Sequence, residues 1–377
     1  MVYTKNDLLR LAKRYHNAKR KYLLINPLQG KHLPVSPTQS LEMMRALGSE
    51  MAAQAPEIDL VIGFAETATA VAAVAAGSMA RPCRYIHTTR ERFAGSDAVE
   101  FREDHSHAVE QYLSLTNLRR WIDEASAVAF VDDELSTGKT LENAIRQLRE
   151  ACPSFAGKRI YAGSVISRLT EAREEKLGLR CISLLRLPMN DRTEADLACD
   201  ITGAKAPAGE PIDAETLSLP PVTGNPRLGV SVGDWMGKLR TVSMRCIEAF
   251  RPHLAGKRVT ILGTEEYMLP GLLLGEALES MGISERVRFH ATTRSPIGIC
   301  DEESYPIRRG WRLHSFYEAE RLTYIYNLEP CDTAIVLTDS PDDAAVGPAL
   351  SDLTGALSEA GCGKAIMIRE ACHVQYL

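Results

Sequence analysis

The chain has 377 residues, of which 45% are hydrophobic and 25% are charged. Such a length and composition are typical of a globular protein with two domains of ordinary size and more than one core. The net charge of -5 excludes a global positive field of the kind that drives nucleic-acid binding, although a local basic patch stays open.

The cysteines and the N-terminal residues indicate the cellular compartment of the protein. Nine cysteines without a Cys-x-x-Cys pair are typical of reduced thiols in a cytosolic protein. Residues 1–7 are too polar for the apolar region of a signal peptide, and the alanine-rich stretch at 68–76 is too short to span a bilayer. We therefore expect a cytoplasmic protein that binds neither a membrane nor nucleic acid.

The first predicted elements are a helix, a strand and a second helix. A basic helical pattern covers residues 5–20, and an apolar run at 22–25 predicts a strand. The loop that follows keeps Lys31 and His32 together between two prolines, where they face either an anionic ligand or solvent. Ser36 and Pro37 form an N-cap and first-turn pair that predicts a helix ending near Gln54.

The next segment contains two predicted core strands and a polar loop. The strand at 58–63 runs into a turn of mostly small residues at 64–69 and an alanine-rich helix. The strand at 83–88 leads into Arg90, and residues 91–107 are polar and irregular. On a strand His105 and His107 would face one side, and a metal site, an acid–base or ligand contact and a solvated loop all fit this pattern.

Residues 127–140 are the most informative stretch: Ala-Val-Ala-Phe-Val-Asp-Asp-Glu-Leu-Ser-Thr-Gly-Lys-Thr. The apolar first half predicts a buried parallel strand with Asp132 and Asp133 at its carboxyl end, where ligands of open α/β sheets bind. The apolar spacing of residues 141–148 predicts a helix, so residues 136–140 lie at a helix N-terminus.

The chemistry of this stretch favours a ribose 5-phosphate. Backbone N–H groups of residues 136–140 suit a phosphate dianion at the positive end of the helix dipole. Asp132 and Asp133 would repel phosphate, but each can accept hydrogen bonds from vicinal hydroxyls. A nucleotide-triphosphatase loop is excluded, because Asp133 stands where that loop needs a glycine.

The stretch resembles the phosphoribosyl pyrophosphate (PRPP) motif of type I phosphoribosyltransferases: a hydrophobic strand, two acids, two variable residues and Ser/Thr-Thr-Gly-x-Thr. The resemblance implies an α/β fold with a parallel sheet and flanking helices. It also implies that the turn at 64–69 holds pyrophosphate, that the loop at 91–107 closes over PRPP, and that Mg²⁺ arrives mainly on PRPP, with Asp132 and Asp133 as further candidate ligands.

On this basis we predict two sets of site residues. The predicted substrate-binding residues are Lys31, His32, Glu66, Thr67, Ala68, Asp132, Asp133, Ser136, Thr137, Gly138, Lys139 and Thr140. The predicted catalytic residues are Arg90, Glu103, His105 and His107.

The rest of the first half predicts a strand at 159–167, a helix at 170–177 and a strand at 180–187, and alternation of helices with apolar runs indicates a parallel sheet. Prolines and glycines then interrupt any periodicity at 205–226. We interpret this segment as a linker between a domain at 1–204 and a domain at 227–377.

The second half repeats the first in degraded form. Three matches occur in the same order: 61–63 with 261–266, 87–90 with 290–294, and 129–133 with 335–339. The phosphate turn is missing from the second copy, because Pro341 removes an amide donor there and two further acids oppose a phosphate. We expect a second, degenerate α/β domain of related topology without a PRPP site.

The second copy also contains Thr293-Arg-Ser-Pro296. The whole chain resembles a bacterial arrangement in which a phosphoribosyltransferase domain precedes a domain named for this Thr-Arg-Ser-Pro (TRSP) motif, in gene clusters for tellurite resistance and stress response. Type I phosphoribosyltransferases usually dimerise, so we expect a homodimer or an internal pseudo-dimer in which the second copy packs on the first as a partner. The alternative, which we favour, is that the second copy carries a second ligand site, because residues 293–297 lie at a predicted strand end, where a purely structural partner has little need of an arginine. The candidates for such a site are Arg294, Ser295, Tyr305 and Arg308.

Three functions stay open at the level of sequence. The favoured one is an enzyme that transfers ribose 5-phosphate from PRPP to a base-like acceptor and releases pyrophosphate. The alternatives are a PRPP-sensing regulatory protein and a phosphoribosyl-releasing enzyme that acts in reverse. Hypoxanthine and guanine are disfavoured as acceptors, because enzymes for 6-oxopurines carry an aspartate where Ser136 stands and serine is a poor base.

Overall fold

The computed structural model describes residues 2–16, 21–91, 97–101, 111–188, 199–221, 224–341 and 343–371. The helices in these ranges are α1 (Lys5–Leu8), α2 (Pro37–Gln54), α3 (Thr69–Gly77), α4 (Leu118–Glu124), α5 (Lys139–Ala151), α6 (Glu171–Leu177), α7 (Val232–Leu254), α8 (Leu269–Met281) and α9 (Asp343–Glu359). The strands are β1 (Arg10–Lys13), β2 (Tyr22–Ile25), β3 (Leu60–Gly63), β4 (Arg84–His87), β5 (Ala98–Phe101), β6 (Gln111–Ser114), β7 (Ala127–Leu135), β8 (Arg159–Ser167), β9 (Arg180–Arg186), β10 (Ala214–Leu219), β11 (Val230–Ser231), β12 (Arg258–Gly263), β13 (Arg286–Ala291), β14 (Gly310–His314), β15 (Leu322–Tyr326), β16 (Thr333–Thr338) and β17 (Ala365–Glu370). None of the described helices combines the length and apolar character that crossing a bilayer requires.

The first half is built on a six-stranded sheet of order β11-β4-β3-β7-β8-β9. All neighbouring pairs are parallel except β11 with β4. Alternate residues of β7 face opposite layers: Ala129 and Val131 pack with α2 and α3, whereas Val128 and Phe130 pack with α4 and α5. Burial on both faces explains why β7 begins with a continuous apolar run, and it confirms the predicted parallel sheet with flanking helices.

The second half is built on a five-stranded parallel sheet of order β10-β17-β16-β12-β13. Here β13, β12, β16 and β17 take the places that β4, β3, β7 and β8 take in the first sheet. The second domain is therefore α/β with related topology, as predicted. The strand beyond these four differs between the sheets: β9, next to β8, follows the core strands along the chain, whereas β10, next to β17, precedes them.

The turns repeat as well as the strands. The Thr88 backbone N–H donates to the Gly63 carbonyl in the first half (2.9 Å), and the Thr292 N–H donates to the Gly263 carbonyl in the second (3.0 Å). Val131 pairs with Gly63 in the first sheet, and Leu337 pairs with Gly263 in the second. This register makes Asp339 the counterpart of Asp133.

The two sheets share one hydrophobic core. A single cluster of buried side chains includes α2 and α3 of the first half and α7, α8 and β12 of the second. Helices α2 and α8 approach closely, since a Cβ on Gly275 would lie 2.4 Å from Pro37 Cγ. At the edge of this contact Arg45 makes two hydrogen bonds to Glu276 (2.6 and 2.8 Å). The halves therefore pack against each other through this shared core.

Two sequence predictions are wrong. The helix predicted at 5–20 is, over the described residues 5–16, helical only in α1, because β1 pairs antiparallel with β2 and Ala12 is buried there. The predicted linker at 205–226 contains β10, which pairs with β17 along its full length. The predicted second domain also contributes β11 to the first sheet. Local helical periodicity and proline content could not reveal these long-range pairings.

A buried arginine fills the strand end of the second sheet. Arg227 Nε lies 3.0 Å from Glu266 Oε2, and Arg227 Nη1 lies 2.5 Å from Asp339 Oδ2. Its guanidinium also stands over the Tyr317 ring, and the Tyr317 hydroxyl donates to Asp339. Burial would raise the pKa of Glu266, but Arg227 lowers it to about 2. In the second copy, Arg227 therefore pairs with Asp339, the counterpart of Asp133.

We expect Arg227→Ala to destabilise the protein strongly. Removing the cation leaves Glu266 and Asp339 buried without their partner, which costs about 3–5 kcal/mol of unfolding free energy. Urea unfolding followed by circular dichroism measures this change. The matched control is Arg258→Ala, which breaks a solvent-accessible pair with Asp332 and should destabilise the protein far less than Arg227→Ala. Equal costs for the two variants would contradict a stabilising role for the buried cluster.

Candidate functional site

A cavity of about 470 Å³ opens at the carboxyl ends of β3 and β7. It brings together the predicted phosphate turn, the acid pair, the turn after β3, Arg90 and part of the TRSP motif. The lining residues are Arg14, Leu23, Leu24, His32, Phe64, Ala65, Glu66, Thr67, Arg90, Phe101, Gln111, Asp132, Asp133, Glu134, Leu135, Ser136, Thr137, Gly138, Lys139, Thr140, Leu141, Asn143, Arg294, Ser295 and Pro296. Both halves of the chain therefore build one cavity.

The phosphate turn has a fixed shape. Gly138 is the N-cap of α5 and has φ +69°, in the left-handed region that favours glycine. A Cβ at this position would lie 2.9 Å from Leu169 Cδ2. Arg173 holds the turn from outside, donating from Nε to the Thr137 carbonyl (3.0 Å). The backbone amides at the start of α5 thus lie beside the cavity in a constrained turn.

The acid pair borders this turn. The Thr67 hydroxyl donates to Asp133 Oδ1 (2.7 Å), and the Asp133 backbone N–H donates to Asp132 Oδ1 (2.9 Å). Burial and the adjacent Asp133 raise the pKa of Asp132 well above its ordinary value. Incoming hydroxyl donors or a cation would favour its ionised form, so this pair is suited to a ligand that supplies one of them.

The turn after β3 places small groups along the cavity. Its Ala65 N–H donates to the Thr88 hydroxyl (2.8 Å), and Ala65 and Thr67 both line the cavity. Ala68 does not line the cavity, because it is the fully buried N-cap of α3. Of the residues predicted in this turn, Glu66 and Thr67 therefore reach the cavity wall and Ala68 does not.

Lys31, which the sequence predicts to bind substrate, does not line the cavity. It is fully buried, its Nζ lies 2.5 Å from Glu66 Oε1, and it donates to the carbonyls of Glu265 (2.6 Å) and Thr292 (2.8 Å). Burial lowers the pKa of Lys31, with Glu66 opposing that shift. Lys31 thus ties the turn of the first half to the strand ends of the second.

Arg294 of the TRSP motif lines the cavity, but acids already balance its charge. Its Nε lies 2.5 Å from Glu265 and 3.6 Å from Glu66, and its Nη2 pairs with Glu91. Burial would lower the pKa of Arg294, whereas these three carboxylates raise it. Its backbone N–H also donates to Glu66 (3.3 Å). Arg294 therefore joins the two halves at the cavity wall.

The four candidates for a second ligand site do not converge. Arg294 and Ser295 line the cavity of the first half. Tyr305 is buried, accepting from the Lys13 N–H and donating to the Gly298 carbonyl (2.9 Å each). Arg308 is exposed and pairs with Asp301. The surroundings of Arg294 fit the internal-partner alternative rather than a separate site around these residues.

Arg90 is the cavity cation with an unmet donor. Its backbone N–H donates to Glu266 Oε1 (2.9 Å), which fixes the residue at the strand end. Its Nε is buried and has no hydrogen-bond partner in the described part of the chain. Such a group is suited to an anion in the cavity. Glu103, His105 and His107, the other predicted catalytic residues, lie outside the described residues.

Sequence reasoning missed one wall of the cavity. Arg14, Leu23, Leu24 and Pro296 line it without having been predicted. The first three lie on or beside the hairpin of β1 and β2, where helical periodicity had hidden the β1 strand. Gln111 was also missed; it accepts a hydrogen bond from the Thr88 hydroxyl (2.6 Å).

The residues present suit Mg²⁺ held mainly by a substrate. Across the described ranges, no three His, Cys, Asp or Glu side chains form a group that could hold a metal ion by itself. Asp132 and Asp133, the two candidate ligands, line the cavity, as do Glu66 and Glu134. Mg²⁺ commonly binds through one or two carboxylates together with substrate phosphates and water, which matches this set.

Residues 8–181 match the family model described as phosphoribosyl transferase, and residues 225–353 match the model described as the TRSP domain C-terminal to it. No curated protein sequence matches the chain. The similar solved structures include adenine phosphoribosyltransferase from Rhodothermus marinus (14% identity, TM-score 0.33, covering 48% of this chain and 96% of that one). They also include orotate phosphoribosyltransferase from Aeropyrum pernix (20% identity, TM-score 0.30, covering 48% of this chain and 89% of that one). A third is adenine phosphoribosyltransferase from Trypanosoma brucei in complex with AMP, pyrophosphate and ribose-5-phosphate (12% identity, TM-score 0.37, covering 52% of this chain and 82% of that one). At these identities and scores, the likeness says nothing about the substrate of this chain.

We expect Gly138→Ala to weaken binding of ribose 5-phosphate by at least about tenfold, since the Cβ would displace the turn and its amides. Titration calorimetry measures the affinity. Gly178→Ala is the matched control: Gly178 has φ +67° at the end of α6, where an added Cβ would meet no neighbouring segment within 4 Å. Both variants should lose roughly 1 kcal/mol of stability or more through backbone strain. Similar affinities in the two variants would contradict the phosphate-turn assignment.

Proposed function

The chain carries a phosphoribosyl transferase domain followed by a TRSP domain, and from this premise we propose that it transfers ribose 5-phosphate from PRPP to a base-like acceptor and releases pyrophosphate. The supporting observation is one cavity that holds three chemically distinct groups. These are a helix N-terminal turn, a pair of carboxylates and an arginine with an unmet donor. They suit the phosphate, the diol and the leaving group of a single donor molecule.

The donor is held at its sugar phosphate end. Backbone amides of residues 136–140 bind the 5-phosphate at the start of α5, where the helix dipole favours negative charge. Asp132 and Asp133 accept hydrogen bonds from the two ribose hydroxyls, and Thr67 orients Asp133 through its 2.7 Å hydrogen bond. Because the 5-phosphate and the ribose hydroxyls are both held, the position of C1 relative to the rest of the cavity is fixed.

The leaving group is held beside the turn after β3. Arg90 donates to pyrophosphate, and the small residues Ala65 and Thr67 let it approach the backbone closely. Mg²⁺, when bound with PRPP, neutralises charge on the pyrophosphate oxygens. The bond from C1 to the pyrophosphate oxygen breaks, a bond from C1 to the acceptor nitrogen forms, and the acceptor loses its proton to water or to pyrophosphate. The chain contributes positioning and electrostatic stabilisation to this step.

Each chain has one donor site under this proposal. In the second copy, Arg227 fills the position beside Asp339, and the sequence after Asp339 has no counterpart of the phosphate turn. The second copy instead supplies Arg294, Ser295 and Pro296 to the wall of the first site. Its proposed role is to complete the cavity as an internal partner.

The double variant Asp132→Asn/Asp133→Asn should bind PRPP with Mg²⁺ at least about tenfold more weakly, because two charge-assisted hydrogen bonds are lost. Calorimetry at fixed pH and salt measures this affinity. The matched control Glu124→Gln/Glu150→Gln removes two exposed acids of the same half and should bind as the wild type does. Unchanged affinity in the aspartate variant would refute the donor site.

Arg90→Ala should weaken binding of magnesium pyrophosphate by at least about tenfold, while affinity for ribose 5-phosphate stays within about twofold, because Arg90 is assigned to the leaving group alone. Calorimetry with the two ligands separates the effects. Arg84→Ala serves as control, since this arginine lies on β4, the strand that precedes Arg90, and pairs with Glu124 at the surface. Equal losses of affinity for both ligands would contradict the assignment of Arg90 to the leaving group.

A further inference from the structure

One wall of the cavity is not used by the donor. The hairpin of β1 and β2 forms this wall, and it rests on the TRSP motif: Arg14 forms a β-bridge with Ile297, and the Tyr15 N–H donates to the Pro296 carbonyl (3.0 Å). Leu23 and Leu24 of β2 line the cavity from the same side. The wall therefore presents apolar side chains from both halves of the chain.

His32 lies in this part of the cavity and has no partner among the described residues. Its side chain is only 2% exposed, and it lines the cavity. Neither Nδ1 nor Nε2 makes a hydrogen bond to any described residue. Burial, followed by the nearby charge of Lys31, lowers the pKa of His32 to about 3. The ring is therefore neutral near neutral pH, with one N–H donor and one nitrogen acceptor unused.

A second buried histidine, His290, has a structural role and serves as a comparison for His32. His290 is fully buried, its Nε2 donates to the Tyr326 carbonyl (2.6 Å), and its Nδ1 accepts from the Ala291 N–H (2.9 Å). It does not line the cavity. Because an unmade hydrogen bond on a buried polar group costs free energy, the unpaired state of His32 at a cavity wall points to a ligand that completes it.

We propose that His32 recognises the acceptor, and that the acceptor is a flat oxo-heterocycle, with a carbonyl next to a ring N–H. This inference rests on the proposed phosphoribosyl transfer. The neutral imidazole can accept from the ring N–H or donate to the carbonyl, and Leu23, Leu24 and Pro296 offer apolar contacts to the ring faces. Arg14 carries donors only, so it favours carbonyl or carboxylate oxygens over the amino groups of an aminoheterocycle.

The test uses the full chain and the variants His32→Leu and His32→Gln. Ligand-observed NMR with ribose 5-phosphate present measures binding of two probe pools, one of oxo-heterocycles (uracil and orotic acid) and one of aminoheterocycles (adenine and 2-aminopyrimidine). We expect the wild type to bind the first pool, His32→Leu to lose at least about tenfold in affinity for it, and His32→Gln to recover part of that loss.

The unfolding temperature provides a second readout, because it should fall in His32→Leu if His32 has a structural role and should not fall if His32 binds the acceptor. His32→Leu should leave the unfolding temperature unchanged or higher, because it removes an unpaired polar group from a buried position. His290→Leu, the matched control, should lower it, because the hydrogen bonds to the Tyr326 carbonyl and from the Ala291 N–H are lost. A clear loss of stability in His32→Leu would show a structural residue and overturn the proposal.

The outcomes separate this inference from the proposed function. Binding of the amino pool instead of the oxo pool, binding of neither pool, or binding unaffected by His32→Leu would each overturn the acceptor assignment. If the wild type meanwhile bound PRPP with Mg²⁺ by calorimetry, the proposed function would stand. Failure of the wild type to bind PRPP would overturn the proposed function itself.

Discussion

The structure depends on buried carboxylates that are paired across the two halves of the chain. Glu66 of the first half accepts the Arg294 N–H of the second, and Glu266 of the second half accepts the Arg90 N–H of the first. The same acids pair with Lys31 and Arg227. A buried carboxylate without a partner is costly, so each acid combines an ion pair within its own half with a backbone donor from the other half.

This exchange places the cavity where the halves meet. Strand ends are the usual binding edge of an α/β sheet, and here the second sheet brings its own strand ends against that edge. The TRSP motif consequently lines the cavity of the first half, while Glu265, Glu66 and Glu91 balance Arg294. Duplication thus supplies a wall to one site rather than a second site.

The two copies have diverged at the point where a sugar phosphate would bind. The first copy keeps Gly138 in a left-handed turn that directs backbone amides toward the cavity. In the second copy Pro341 lacks an amide donor, and Arg227 lies against Asp339 inside the fold. Asp133 thus faces the cavity in the first copy, whereas its counterpart Asp339 belongs to a buried ion cluster in the second.

The sequence alone determined the features that short segments encode. Residues 127–140 fold into β7, the phosphate turn and the start of α5 because apolar pattern, glycine and helix spacing all act within a few residues. The duplication was also legible, because its three matches preserve order and spacing.

Tertiary structure decided the rest. Lys31 contacts carbonyls more than 230 residues away, and β1 is a strand because it pairs with β2 and packs on the TRSP segment. His32 reaches the cavity for the same reason: its position depends on how the two halves pack, and no local pattern contains that information.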